Sequence, residues 1–251
     1  MSALNPQFSI ANGGQVEAID DGWRLSLPAG EAGSYRLAQL DDYQGLPRGD
    51  FPHRAPVKLR LRARISSAAL PGTWGFGLWN EPLSAQIGFG SGRKLPALPN
   101  AAWYFFASPE NHLALRDDMP GHGALAASFR SPRWPAPLLA LGLLAAPLLL
   151  WRPAARLLRR VTSRILQGDA HQMQLDPTSW HEYGLNWWED GLQFKLDDQV
   201  IHRSSLSPQG PLGLVLWLDN QYAAWRPDGS LAYGALANPA AWLEICDLSI
   251  N

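Results

Sequence analysis

The nine residues Val57–Ile65 (VKLRLRARI) restrict the fold more than any other stretch of the sequence. Apolar residues occupy every odd position of this stretch, and Lys or Arg occupies every even position. Successive side chains of a β-strand point to opposite faces, so this alternation predicts a strand rather than a helix. One face of the predicted strand is buried and the other is cationic.

Short segments of the same kind recur along most of the chain, separated by clusters of Gly, Pro, Asn and Asp. The chain has 251 residues with 23 Gly, 21 Pro and 12 Trp, but only 17% are charged, which indicates many turns between aromatic-rich strands. We therefore predict an all-β sandwich, with Asp197-Asp198 turning a tight hairpin. The other predicted strands are Trp23–Leu27, Tyr35–Leu40, Thr73–Trp79, Ala102–Ala107, His112–Arg116, Leu125–Phe129, Glu182–Trp188, Leu192–Leu196, Val200–His202, Leu212–Leu218 and Trp242–Ile250.

Charge and cysteine content exclude several classes of function. With 21 Lys and Arg against 22 Asp and Glu, the chain has no overall field that would attract nucleic acid. The single cysteine, Cys246, excludes an internal disulfide framework, and the six histidines form no HExxH pattern, so no metal site is predicted. Residues Met1–Gly14 lack the basic and apolar regions of a secretory signal, which favours a cytoplasmic location with membrane association.

One segment interrupts the strand pattern. Pro135–Trp151 carries no charge, and the following Trp151–Gln167 contains five arginines and no acid, with apolar residues at helical spacing. We predict that residues 135–167 form an apolar, Arg-rich helical insert in a single sandwich domain made of residues 1–134 and 168–251. The apolar run is at the short limit of the about 17 to 25 residues that cross a bilayer.

Three arrangements of the insert remain open: a re-entrant hairpin, a helix pair lying in the membrane interface, and an apolar lid on the sandwich. We favour contact with lipid, because apolar burial and arginine attraction to anionic head groups act together. The predicted membrane contacts are Leu143, Leu148, Leu149, Trp151, Arg156, Arg159 and Arg160.

The stretch Trp180–Ser204 (WHEYGLNWWEDGLQFKLDDQVIHRS) resembles the late strands of the concanavalin A-like lectin and glucanase superfamily, in particular family 16 glycoside hydrolases. The positions that carry the resemblance are Trp180, His181, Tyr183, Trp187, Asp190, Gly191, Phe194, Asp197 and Asp198. Thr73–Trp79 is similar to the strand that precedes the active-site strand in those enzymes. The resemblance implies a concanavalin A-like jelly roll with a helical insert, and such sandwiches often hold one structural calcium ion. No calcium ligands are assigned here.

The sequence departs from that family at its catalytic strand. Family 16 enzymes carry Glu-x-Asp-x-x-Glu on one strand, whereas the corresponding stretch here, Asn100–Asn111, holds one acid, and no Glu-x-Asp pair occurs in the chain. The resemblance therefore argues against glycoside hydrolysis. Glu81, Glu110 and Asp219 remain as candidate catalytic acids for a diverged enzyme.

The aromatic residues predict a ligand groove. If the aromatic ends of several strands meet on one face, they form a groove suited to sugar rings or to an apolar chain. The candidate ligand-binding residues are Trp79, Trp103, Phe105, Trp188, Trp217, Asp219 and Asn220. A Trp-rich hydrophobic core is the competing interpretation.

Three classes of function follow from these features. The first is a non-catalytic lectin-like module that binds a carbohydrate, glycolipid or lipid and attaches to a membrane surface. The second is a diverged glycosidase, or an enzyme for an apolar substrate. The third is a structural subunit that docks on a membrane complex. Neither a cofactor nor an oligomeric state is predicted.

Overall fold

The computed structural model of the protein describes residues 6–82, 97–135, 139 and 143–251. Sixteen strands and one α-helix lie in these ranges. In chain order they are β1 (Gln7–Ala11), β2 (Gln15–Ile19), β3 (Gly22–Leu27), β4 (Leu37–Asp41), β5 (Val57–Ile65), β6 (Thr73–Trp79), β7 (Ala101–Ala107), β8 (Gly123–Arg130), α1 (Arg152–Ile165), β9 (Gln167–Gln172), β10 (His181–Trp188), β11 (Gly191–Leu196), β12 (Gln199–Ser204), β13 (Gly213–Asp219), β14 (Gln221–Trp225), β15 (Leu231–Ala235) and β16 (Ala241–Ile250).

Fourteen strands form two seven-stranded sheets that face each other. Sheet I has the order β1-β4-β13-β6-β7-β8-β9, and sheet II has the order β12-β11-β10-β5-β16-β3-β2. Every pair of neighbouring strands is antiparallel, and β14 and β15 form a separate hairpin. The predicted all-β sandwich is therefore confirmed.

The inner faces of the two sheets make the hydrophobic core. In β5 the residues Val57, Leu59, Leu61, Ala63 and Ile65 are all buried, as the alternation predicts. They pack against the apolar inner faces of sheet I, including Phe76 and Leu216, which are fully buried. Burial of apolar surface at about 25 cal/mol per Å² makes this contact between sheets the main source of stability.

A buried tyrosine also links the two sheets. The hydroxyl oxygen of Tyr104, in β7 of sheet I, lies 2.7 Å from the carbonyl oxygens of Gly184 and Lys195 in sheet II. The Lys195 backbone N–H donates back to the same hydroxyl. Burial raises the pKa of Tyr104, so the hydroxyl stays protonated and keeps its donor role.

The predicted turn at Asp197-Asp198 joins β11 to β12. Both residues have left-handed backbone angles, with φ of 49° and 62°. A two-residue hairpin turn of type I′ requires positive φ at both positions, and Asp tolerates it better than most residues.

Other parts of the prediction need correction. Residues His112–Arg116 form no strand, and only an isolated bridge joins His112 to Ala224. The strands β1, β2, β9, β14 and β15 were not predicted. Each is a short strand with a largely exposed or half-buried pattern, for example β9 with the sequence QGDAHQ, so the apolar alternation that identifies a strand is weak.

Acidic side chains from neighbouring elements pair with the arginines on the outer face of β5. Arg60 pairs with Glu182 and Asp198, and Arg62 pairs with Asp247. Arg64 pairs with Glu244 of the neighbouring strand β16. Because acids from β10, β16 and the hairpin turn face these arginines, this face is a network of ion pairs.

The insert connects two neighbouring strands of sheet I, β8 and β9. Arg130, the last residue of β8, pairs with Gln167, the first residue of β9. Between them, a 3-10 segment at Leu143–Leu150 precedes α1. Pro147 lies inside the 3-10 segment, where its missing N–H prevents a regular α-helix. Within the described residues, no helix combines the length and the apolar character that a membrane crossing needs.

Candidate functional site: an aromatic patch on the outer face of sheet I

The face of sheet I that points away from sheet II carries the site. Strand register places Trp217 of β13 beside Gly75 of β6, and Gly75 beside Phe105 of β7. The next row in the register contains Gly77 and Trp103. The alternate residues of β6 and β7, Trp74, Phe76, Tyr104 and Phe106, belong to the core between the sheets. These two strands therefore divide their aromatic residues between two faces.

A continuous group of touching rings lies on this face, and we use the name aromatic patch for Tyr43, Trp79, Trp103, Phe105 and Trp217. Ring centroids are 6.0 Å apart for Trp79 and Trp103, and 5.6 Å apart for Trp103 and Trp217. Phe105 lies 5.5 Å from Trp217, and Tyr43 lies 6.3 Å from Trp79. All pairs are tilted or edge-on, the arrangements that aromatic rings prefer.

Trp103 occupies the centre of the aromatic patch. Its ring contacts Trp79, Phe105, Phe129 and Trp217. Tyr43, Phe105 and Trp217 are buried, whereas Trp79 and Trp103 keep part of their surface exposed. The indole N–H groups of Trp79 and Trp217 donate to Tyr43 and Thr73, but that of Trp103 has no acceptor among the described residues. Trp103 is therefore the ring best placed to meet a ligand.

A polar pair borders the aromatic patch on β4. The Gln39 amide donates to Oδ2 of Asp41 at 2.9 Å, and Gln39 pairs in register with Trp217. Burial raises the pKa of Asp41, although the hydrogen bond from Gln39 opposes the rise. The sequence analysis missed Gln39, Asp41 and Tyr43 as site residues. For Gln39 and Asp41 only the alternation in β4 could have indicated a site, and this strand is buried on both faces, whereas Tyr43 lies beyond its end.

Asp219 lies at the far end of the same face. Its Oδ1 accepts hydrogen bonds from the Thr73 hydroxyl and backbone N–H and from the Gln221 N–H. Burial outweighs these bonds and raises the pKa of Asp219 to about 7. Because Oδ2 has no donor among the described residues, Asp219 is a buried carboxyl that titrates near neutrality.

Two predicted ligand residues do not belong to the aromatic patch. Trp188 ends β10 in sheet II, so it lies on a different sheet and is 37% exposed. Asn220 has no exposed surface, and its amide holds loops together by accepting from the Arg36 N–H and donating to the Ser34 and Leu236 carbonyls. We correct the assignment of both residues: Trp188 is a separate surface residue, and Asn220 supports the scaffold.

The three candidate acids lie apart. Asp219 pairs with Thr73 at the start of β6, whereas Glu81 follows the end of that strand. Glu110 lines a different cavity, of about 400 Å³, between the ends of the two sheets. The floor of that cavity is the stacked pair Trp74 and Phe106, whose ring centroids are 3.6 Å apart. A hydrogen bond from Ser108 lowers the pKa of Glu110.

Strand β7 carries no acidic side chain toward the aromatic patch. The outward positions of β7 are Ala101, Trp103, Phe105 and Ala107. Moreover, nowhere in the described ranges do three His, Cys, Asp or Glu side chains form a group that could hold a metal ion.

The residues predicted to contact a membrane differ in their exposure. Leu148, Trp151, Arg156 and Arg160 are exposed, and Leu149 is half-buried. The side chain of Leu143 lies outside the described residues. Arg159 is buried with 4% of its surface exposed, and it pairs with Asp117 and donates to the carbonyls of Ala114 and Trp225. Arg159 therefore anchors the helix, and its assignment to the membrane surface is wrong.

No protein-family model matches the sequence, and no curated protein matches it. Several solved structures have a similar fold. A legume lectin-like domain from Entamoeba histolytica is 9% identical with a TM-score of 0.49, over 97% of this chain and 89% of that chain. A β-glucanase from Bacillus licheniformis is 10% identical with a TM-score of 0.47, over 100% and 92%. The carbohydrate-binding module CBM66 from Bacillus subtilis is 8% identical with a TM-score of 0.42, over 97% and 94%.

Each of these likenesses has a sequence identity of 10% or less and a TM-score below 0.5. The likeness is one of fold alone and assigns no role to a residue.

Proposed function

We propose that this protein binds a neutral carbohydrate on the aromatic patch, with Trp103 as the ring on which a sugar stacks. The observation that supports this most directly is the position of Trp103. It stands partly exposed at the centre of four other aromatic rings, with an indole N–H that has no acceptor among the described residues. An aromatic ring with a polar N–H or O–H group suits a ligand that has one apolar face and carries hydrogen-bonding groups elsewhere.

The surroundings of the patch favour a sugar without charged groups. The outward positions of β1, β4, β13, β6, β7 and β8 fall within the described residues, and none is Lys or Arg. A ligand with sulfate or carboxylate groups would meet no cation from these strands. Gln39 and Asp41 lie beside Trp217 but are buried and hydrogen-bonded to each other, so the exposed surface of the patch is that of Trp79 and Trp103.

The spacing of two acids on this face argues against their acting together as a glycosidase pair. Asp41 pairs with Val215, and Asp219 follows Val215 by four residues on β13. At about 3.4 Å per residue, the two rows are about 14 Å apart along the strand. Glycosidases place their two carboxyl groups roughly 5 to 9.5 Å apart. Asp41 and Asp219 therefore do not form a catalytic pair.

A lipid or glycolipid in the same patch is the alternative that the sequence also predicts. An apolar chain would contact the same partly exposed rings of Trp79 and Trp103. The two ligand classes are separated by using soluble β-glucan oligosaccharides and a fatty acid as probes for the same patch.

The experiment is a titration of the full chain with a panel of soluble neutral oligosaccharides, followed by calorimetry. We expect Trp103→Ala to weaken binding of the responding sugar at least tenfold, since truncating a tryptophan at the centre of a binding site costs about 2 kcal/mol or more, and about 1.4 kcal/mol is tenfold. The matched control is Trp188→Ala, which removes an exposed tryptophan on sheet II and should leave the affinity within twofold.

Equal affinity of wild type and Trp103→Ala for the sugar would disprove the assignment of the site. A fatty acid that binds in a Trp103-dependent manner, with no sugar response, would identify the patch as a lipid site. Thermal unfolding of both variants must match wild type within a few degrees, so that a change in binding reports the site.

A further inference from the structure

The chain from Leu148 to Arg164 has an unusual exposed surface. Thirteen large apolar side chains are well exposed in the described residues, and five of them lie in the fourteen positions from 148 to 161. Leu150 is 89% exposed, Trp151 65% and Leu157 61%. The others are Leu148 and Val161. Single exposed apolar residues are common on soluble proteins, but a concentration of this kind marks an interaction surface.

The same stretch carries a stripe of arginines. Arg152, Arg156, Arg160 and Arg164 recur every four residues of α1, which brings them to one side of the helix, and all four are exposed. None of them forms an ion pair among the described residues, in contrast to the arginines of β5. The helix contains no acid. The stripe is therefore a local cationic surface on a chain whose net charge is −1.

Helix α1 differs from an ordinary amphipathic helix in that two of its large apolar side chains are exposed. Such a helix turns its large apolar residues inward. In α1 the buried positions are Ala155 and Arg159, while Leu157 and Val161 are exposed. At roughly 100° per residue, Leu157 and Val161 lie next to the arginine stripe on the helix circumference. Cationic and apolar side chains thus share one exposed surface.

The position of α1 is held by the body of the protein. The guanidinium of Arg159 is bound to Asp117 and to the carbonyls of Ala114 and Trp225. Gly229, in the turn between β14 and β15, lies so close that an added Cβ would stand 2.5 Å from the Arg152 carbonyl. The exposed arginines and apolar side chains are therefore presented from a fixed support.

We propose that this surface, consisting of Leu148, Leu150, Trp151, Leu157 and Val161 with the four exposed arginines, binds the surface of a membrane that contains anionic lipid. The arginines complement lipid phosphate and negative surface charge. The five apolar side chains enter the boundary between head groups and acyl chains, which an acidic protein or a nucleic acid does not offer. The protein attaches without crossing, since β8 and β9 meet at Arg130 and Gln167 on the same side.

The test is sedimentation of the full chain with vesicles of pure phosphatidylcholine and with vesicles in which about a third of the lipid is phosphatidylglycerol. We expect binding to the anionic vesicles only, with an affinity that falls as salt rises. The double variant Arg156→Glu, Arg160→Glu should weaken binding at least tenfold. The double variant Leu157→Ser, Val161→Ser should also weaken vesicle binding. Because this variant keeps every arginine, its loss would show that the apolar side chains insert into the membrane.

The matched control is Arg54→Glu, Lys58→Glu, which changes the net charge equally at two exposed positions on or near sheet II. It should keep the wild-type affinity, as should Trp103→Ala, whose loss of sugar binding is a separate result. An absence of wild-type binding to anionic vesicles, or an equal loss in the control, would overturn the proposal. Binding to polyglutamate without binding to vesicles would instead assign the surface to an acidic protein.

Discussion

The indole of Trp217 lies directly over the backbone of Gly75. A Cβ built at Gly75 would stand 2.7 Å from Cη2 of Trp217 and 2.2 Å from the Tyr104 carbonyl oxygen. The absence of a side chain at this position of β6 therefore leaves room for the Trp217 ring, which contacts Trp103 and Phe105. The shape of the aromatic patch depends on this glycine.

Gly75→Ala should destabilise the fold, because neither the indole nor the Tyr104 carbonyl can move without disturbing the sheet. We expect the free energy of unfolding to fall by about 1 to 3 kcal/mol, as for other overpacked sites. Chemical denaturation measures the change. Gly49→Ala is the control, since a Cβ there meets no atom within 4 Å, and a comparable loss in both variants would contradict the packing argument.

Asp219 should make stability depend on pH. Its pKa is about 7 in the folded protein against 3.8 in the reference state, so the unfolded chain releases this proton at lower pH than the folded chain. The stability that the protonated group supplies is complete below pH 3.8 and is lost as pH rises to 7. The loss is on the order of 4 kcal/mol.

The measurement compares wild type with Asp219→Asn, which keeps an acceptor for Thr73 and cannot ionise. The difference in unfolding free energy between the two proteins should shift in favour of the variant as pH rises from about 4 to about 7. A difference that does not change across this range would show that the buried carboxyl has an ordinary pKa.

Much of the sandwich is predictable from sequence, but the site is only partly so. The strands β5, β6 and β10 are evident because an apolar face repeats every second residue, and the core requires it. Both faces of β6 and β7 carry aromatic or small side chains. The sequence therefore predicts an aromatic face, but it does not show which residues of other strands contribute to that face. Trp217 joins through strand register and Trp188 does not, because β13 and β10 belong to different sheets.

The role of Arg159 could not be read from its surroundings in sequence. The sequence of α1 does not distinguish its five arginines from one another. Only the tertiary contacts with Asp117, Ala114 and Trp225 set Arg159 apart. Likewise, β9 is too polar to identify, although it completes sheet I next to β8. Long-range pairing, rather than local pattern, determines both features.

Arg159→Ala should loosen α1 from the body of the protein. The change removes an ion pair and leaves the carbonyls of Ala114 and Trp225 without their donor. We expect a loss of about 2 to 4 kcal/mol in unfolding free energy, since hydrogen bonds to a buried charged group are among the stronger ones. Thermal unfolding measures it. The neighbouring exposed residue supplies the control, and Arg160→Ala should change stability by less than about 0.5 kcal/mol.

Glu244 should be the most sensitive position of the outer face of sheet II. Its carboxylate is 5% exposed and accepts from Arg24 of β3 through Oε1 and from Arg64 of β5 through Oε2. Burial alone would raise the pKa of Glu244, but hydrogen bonds from Arg24 and Arg64 lower it overall.

Glu244→Gln keeps the shape of the side chain but leaves two arginines without a counter-charge. We expect a loss of about 1 to 3 kcal/mol at pH 7, measured by denaturant unfolding, because the charge-assisted bonds are lost. The wild-type advantage should shrink as pH falls below the usual range of a glutamate, since the lowered pKa means that protonation removes the same bonds. The control is Glu182→Gln, whose carboxylate is 36% exposed beside Arg60 and should contribute less than about 1 kcal/mol. Equal losses in the two variants would mean that burial of Glu244 adds nothing to its pairing with Arg24 and Arg64.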